Sequence, residues 1–232
     1  MATQYANGKI VTNGLVLALD AADRNSYVSG SSTWRDLSGN GYSGSLVNNP
    51  IFNSGSGGNI IFDGADDYSN HGYISQLYNT TTISYNIWLK WSSLGNNKII
   101  IGNENQAGST GLGIRQRSDN SYWMSPGIGV ANIIRVVPNI DTTKVHMITA
   151  LTDGTNGSFY INGSFVSSSL YSTTFTSQTN FYVGIGYNFG LPSPSFIEPF
   201  PGNVYNTQIY NRALSASEVL QNYNAQKSRF NL

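Results

Sequence analysis

The oxygen-rich loops are the part of this chain best suited to chemistry. The stretch TWRDLSGNGYSG, residues 33–44, places Asp36 and Asn40 among glycines, and FDGADDY, residues 62–68, adds Asp66 and Asp67. Carboxylate and amide oxygens gathered on a tight turn are the donors that a hard cation such as calcium takes. The same residues also make an ordinary turn, because Asp and Asn bond their own backbone and Asn-Gly adopts left-handed geometry without an ion. The regular Asp-x-Asp-x-Asp-Gly spacing of a dedicated calcium loop is absent, so the bare turn is favoured and calcium at Asp36, Asn40, Asp66 and Asp67 is the alternative.

Acid–base catalysis finds less material. A glycosidase needs two carboxyl groups at a controlled separation, and the glutamates are only Glu104, Glu198 and Glu218, none within three residues of another acid. Adjacent Asp66 and Asp67 would point to opposite faces of a strand. His71 and His146 stand apart from each other, and no GxSxG elbow is present to activate a serine. No catalytic residue is assigned. Sugar recognition needs aromatic rings beside planar polar groups, and three loops offer them: Asp67, Tyr68 and Tyr73 in the second acidic stretch, Asn103 in GNENQAGSTG, and Tyr187 and Asn188 in GYNFGLPSPSF.

These loops must be carried by strands. TISYNIWLKW, residues 82–91, alternates Ile83, Tyr85, Ile87, Leu89 and Trp91 with Ser84, Asn86, Trp88 and Lys90. Such a period of two gives a strand with one apolar face. Trp91 then belongs to the core, and Trp88 is left as a candidate for a partner surface. LVLALD, KIIIGN, GLGIRQR, SYWMS, VHMITALT, SFYINGSFV, FYVGIG and GNVYNTQIYN supply further strands, with an Asn-Gly hairpin turn in YING. At the C-terminus Ser215 precedes Glu218 by three residues, the capping-box spacing, and Val219, Leu220 and Tyr223 mark the buried stripe of a short helix. The four prolines between Tyr187 and Gly202 predict an extended surface excursion. The fold class is therefore all-β, a two-sheet antiparallel jelly-roll sandwich over residues 15–232 with a short C-terminal helix, preceded by a polar arm at residues 1–14.

Composition narrows the partners. Twelve basic and twelve acidic side chains cancel among 232 residues, so the basic footprint that nucleic acid requires is missing. No apolar run is long enough to span a membrane. The chain has no cysteine, which removes disulfides and thiolate chemistry. The N-terminal residues lack a signal-peptide pattern, and with the Ser-, Thr-, Asn- and Tyr-rich composition this gives the expectation of a virion protein made in a host cytoplasm, with an extracellular location as the alternative.

The sequence resembles the laminin-G-like, or concanavalin A-like, jelly-roll superfamily of bacterial and phage proteins. The resemblance rests on DLSGNGYSG, IIFDGADDY, ISYNIWLKW, HMITALTDGTNGSFYINGSFV and GNVYNTQIYNRALSASEVLQNY, in that order from Leu15 to Tyr223. It implies the sandwich fold and calcium near one edge. The fold hosts lectins, adhesion modules, hydrolases and virion decorations. The expected function is a non-enzymatic virion structural or attachment protein, a decoration, fibre or tail-associated component. It would bind other virion proteins, through the N-terminal arm, and cell-surface glycans through multimeric display. A carbohydrate-binding module of a bacterial surface protein is the second reading, and a glycoside hydrolase or lyase the third.

Overall fold

A computed structural model describes the chain apart from residues 1–3, 6–7, 95–96, 104–110, 118, 120, 126–133, 137–139, 173 and 189–194. Two eight-stranded antiparallel sheets pack face to face, so the expected sandwich is observed. At the centre of the first sheet, Thr82–Trp91 pairs with His146–Asp153 on one side and with Pro201–Tyr210 on the other. The far side of Pro201–Tyr210 is shared: its first residues pair with Asn59–Asp63 and its last with Leu15–Asp20. The second sheet runs, in spatial order, through Ile134–Val136, Tyr122–Ser125, Gly113–Gln116, Lys98–Gly102, Tyr182–Val183, Tyr68–Asn70, Gly44–Val47 and Thr33–Trp34.

Alternation decides what lies between the sheets. Ile83, Tyr85, Ile87, Leu89 and Trp91 meet Ile100, Ile114, Tyr122, Met124 and Val183 of the facing sheet in one buried core. Trp91 packs edge-on against Tyr122, as its place in the alternation requires. The YING turn forms as expected, with Asn162 and Gly163 both at positive φ, the geometry that matches strand twist in a two-residue hairpin.

The helix spans Ala216–Gln226 behind the predicted cap: the Ser215 side chain accepts from the Glu218 amide, and the Glu218 carboxylate reaches back to the Ser215 amide. It lies on the outer face of the first sheet, where Val219 joins Trp88, Met147, Tyr205 and Tyr210 in a second core. Here two expectations are corrected. Trp88 is fully buried, stacked between Tyr223 and Phe230, and is no surface residue. Leu220 is 47% exposed, because the buried helix face runs through Val219, Asn222 and Gln226, at spacings of three and four. A second sequence reading would have found this stripe only by placing two polar residues inside.

Asn222 explains its own burial. Its Oδ1 accepts from the Val11 amide at 2.8 Å and its Nδ2 donates to the Tyr210 hydroxyl, which donates in turn to the Val11 carbonyl. Ile10 and Val11 are buried, and Arg212 donates to the Asn13 carbonyl. Residues 10–13, within the polar arm, are thus tied to the chain's own helix and to Arg212 just before it. Deleting residues 2–13 is expected to lower the Tm by several degrees, since a buried amide cap and two apolar side chains are lost. Differential scanning calorimetry with an unchanged Tm would return those residues to the status of a loose arm.

Candidate functional site

The two acidic loops differ in what their oxygens are doing. Asp36 Oδ1 accepts from the amides of Ala18 and Ser38, and Oδ2 from the Ser38 hydroxyl and the Tyr42 amide. Asn40 donates to the carbonyls of Leu15 and Val16. The opening loop is a hydrogen-bonded clasp onto the Leu15–Asp20 strand, with the Asp36 carboxylate committed to the backbone. Its geometry supports the turn reading.

The second loop gathers charge. Ligand-capable oxygens of Asp63, Asp66 and Asp67 lie within 4.8 Å of one another. Asp36 is not part of this group. Asp63 opens an Asx turn by accepting from the Ala65 amide, which pulls its pKa down. Asp67, buried and accepting from the Asp63 amide, is pushed up, first by desolvation and then by the charges of Asp63 and Asp66. Asp63 was missed from sequence, although its spacing of three and four to Asp66 and Asp67 carried the signal. Three converging carboxylates fit a hard cation better than the Asp36 clasp does.

The raised Asp67 pKa has a stability consequence. The folded protein takes up a proton more readily here than the unfolded chain, so ionised Asp67 costs stability at neutral pH, and the cost vanishes as pH falls through the raised folded value. Asp67→Asn is therefore expected to raise Tm at pH 7 in chelator and to have no benefit below about pH 4. Repeating the melts in calcium tests the ion expectation. A rise in wild-type Tm that Asp67→Asn removes supports an ion, whereas equal values in calcium and chelator retire it.

The predicted sugar-contacting residues whose side chains are described have different surroundings. Tyr68 lies on the outer face of the second sheet, edge-on to Tyr182 and packed with Ile185. Tyr73 is 40% exposed and pairs edge-on with Tyr78. Asn103 is a structural residue: its Oδ1 accepts from the Leu112 amide and its carbonyl from the hydroxyls of Ser177 and Thr179. Tyr187 and Asn188 sit in a strand paired with Phe196 and Ser195, so the proline-rich excursion begins as a hairpin; their side chains and its tip lie outside the described residues. Both histidines are structural. His71 is buried between the Ser69 hydroxyl and the Tyr42 carbonyl, and burial lowers its pKa to about 4. His146 holds the Asp141 carbonyl.

Sequence reading missed a different cluster, on the same outer face as Tyr68 and Tyr182. Ile99, Arg115, Trp123 and Arg135 are cross-strand partners in one row, and because Ile114, Tyr122 and Met124 point into the core, this row points away from it. Trp123 is half-buried. Its indole N–H donates to the Ser121 hydroxyl at 2.8 Å, and the Arg117 guanidinium lies 4.5 Å from its ring centre. Arg115, 1% exposed, pairs with Glu198 at 3.4 Å. Arg135 pairs with Asp119, whose carboxyl is held well below the usual range by Ser121 and Arg135.

Glu198 deserves its place in the cluster through conformation as well as charge. It adopts a left-handed φ of 52°, a strained choice for a residue other than glycine, of the kind that collects at ligand clamps. Burial raises its pKa while Arg115, Arg117 and Lys98 lower it. The Gly186–Asn188 strand is seated directly above, so close that a Cβ on Gly186 would lie 2.0 Å from Ile99 Cδ1. The signal available in the sequence was the two-residue spacing of Arg115 and Arg117, which puts both on one strand face.

The chain belongs to the concanavalin A-like lectin/glucanases superfamily, whose Laminin_G_3 model matches residues 63–220. No curated protein matches the sequence. Among solved structures, domain 4 of AbnA, an extracellular arabinanase from Geobacillus stearothermophilus in complex with arabinotriose, is similar at 16% identity and TM-score 0.68, over 91% of this chain and 98% of that one. Trypanosoma rangeli sialidase in complex with sialic acid is similar at 17% identity and TM-score 0.69, over 96% of this chain and 34% of that one. The binding domain of botulinum neurotoxin DC, in complex with SialylT, gives 16% identity and TM-score 0.62, over 93% and 52%. The chain thus spans about a third of the sialidase and half of the toxin domain, and at these identities the likeness is one of fold.

Proposed function

We propose that the protein is a non-enzymatic attachment domain that binds glycans on the outer face of its second sheet. The observation that carries this is Trp123: a half-buried indole on the sheet's outer face, its N–H held by Ser121 and one ring face covered by the Arg117 guanidinium, so that a sugar ring would stack on the opposite face. The complexes of similar folds with arabinotriose and SialylT support a glycan as ligand. Catalysis is left out of this reading: Glu198 is engaged with Arg115, Glu218 with Arg212 and the helix cap, and the two histidines with backbone carbonyls.

Display in many copies on a phage particle, as a decoration or tail-associated component, is the setting we propose for this domain, with weak single sites strengthened by repetition. A second setting, an accessory module of a longer bacterial surface protein, is favoured by the end-to-end correspondence with one domain of the arabinanase. The test of function is a glycan array probed with the domain displayed as a multimer, with calcium and again with chelator. Binding to at least one glycan supports the reading. No binding in either condition, or sugar release from the same glycans, overturns it.

A further inference from the structure

We propose that the face around Trp123 takes a sugar bearing a carboxylate, with the ring against the indole and the acid group on the guanidinium of Arg117. The proposal deepens the glycan reading and rests on it. Among the described residues, three cations, Arg115, Arg117 and Arg135, share this face with two carboxylates, Glu198 and Asp119. The whole chain is neutral, at twelve against twelve, so the local surplus of one positive charge among the described residues belongs to this face.

The geometry also says which anion suits it. The Arg115 guanidinium already holds a carboxylate, that of Glu198, in a pocket where Arg115 is 1% and Glu198 18% exposed. The charge of Arg117 also acts on that carboxylate, lowering its pKa, and Arg117 Nη1 is buried with no hydrogen-bond partner among the described residues. A donor so placed is satisfied by an incoming acceptor, and a planar carboxylate matches the guanidinium fork. Glu198 then acts as an internal competitor for the arginines, held in reach by its strained backbone. The indole, oriented by Ser121, supplies the apolar contact that a free carboxylate alone would lack.

The experiment is an array carrying oligogalacturonate, oligoglucuronate and sialyllactose, each beside its carboxyl-reduced form, with neutral and sulfated glycans alongside. The expected result is binding to at least one acidic glycan about tenfold tighter than to its reduced form. That preference should weaken with added salt and be lost in Arg117→Gln. Glu198→Gln is expected to tighten acidic binding by removing the competitor. Arg117→Gln carries the test because it leaves the buried Arg115–Glu198 pair intact, and Glu198→Gln, which leaves Arg115 unpaired, is read beside a thermal melt that shows it folded. Acidic and reduced forms bound equally, with Trp123→Ala abolishing both, would overturn the carboxylate and leave the glycan reading standing. Sulfated glycans bound without any carboxylated one would also overturn it. No binding to any glycan would remove both readings.

Discussion

Trp88→Ala is expected to destabilise the protein by about 3–5 kcal/mol, the range for deleting a fully buried large aromatic side chain. Three contacts put this residue at the upper end of what one side chain contributes. Its ring stacks on Tyr223 at 5.6 Å and on Phe230 at 4.6 Å, and it fills the space between Met147 and Tyr205 on the first sheet. Tyr223 belongs to the helix and Phe230 to the turn after it, so the indole is what fastens the C-terminal segment to the sandwich. The cavity left behind would be roofed by a helix whose remaining apolar contacts are few, Val219 chief among them. Urea denaturation of wild type and variant measures the effect directly. A loss below about 1 kcal/mol would mean that the helix is not a cooperative part of the native fold.

Trp123→Ala should do the opposite: leave the fold nearly intact and remove binding. An aromatic anchor at a recognition site commonly carries about 2 kcal/mol or more, which is a loss of about thirtyfold in affinity. The ring is half-buried, and its neighbours Tyr122 and Met124 keep the core side of the strand filled without it. The stacked contact with Arg117 is the main interaction given up, and such contacts are worth about 0.5–1 kcal/mol at exposed sites. Binding of the multimeric domain to its best glycan, measured beside a thermal melt, separates the two effects. Unchanged binding with an unchanged Tm would place the glycan site elsewhere, and the exposed Tyr73–Tyr78 pair is then the next place to substitute.

The sandwich itself was legible in the residues, because strand alternation and turn chemistry are local. Thr82–Trp91 shows its core face by period two, Asn162-Gly163 shows its hairpin, and Ser215 with Glu218 shows the helix start. Polar burial was not legible. Asn222 reads as a surface residue until the Val11 amide arrives from 211 positions away. The same holds for the loops: Asp36 looks like a metal ligand until Ala18 and Tyr42 occupy its oxygens. Tyr68, Tyr73 and Asn103 were right in residue type for a sugar site, yet the fold gives each a different surrounding.

Two tryptophans show where the boundary falls. Trp88 and Trp123 both sit on the non-core face of a strand, flanked by residues that point into the sandwich, and local pattern treats them alike. The sequence by itself determined that Trp88 would point away from the face of Ile87 and Leu89, since side chains alternate at every residue whatever the rest of the chain does. Only the tertiary structure decided that one is sealed under a helix and the other left beside Arg117. What covers a sheet face comes from distant parts of the chain, here residues 216–230 on the first sheet and the Gly186–Asn188 strand beside Ile99 on the second.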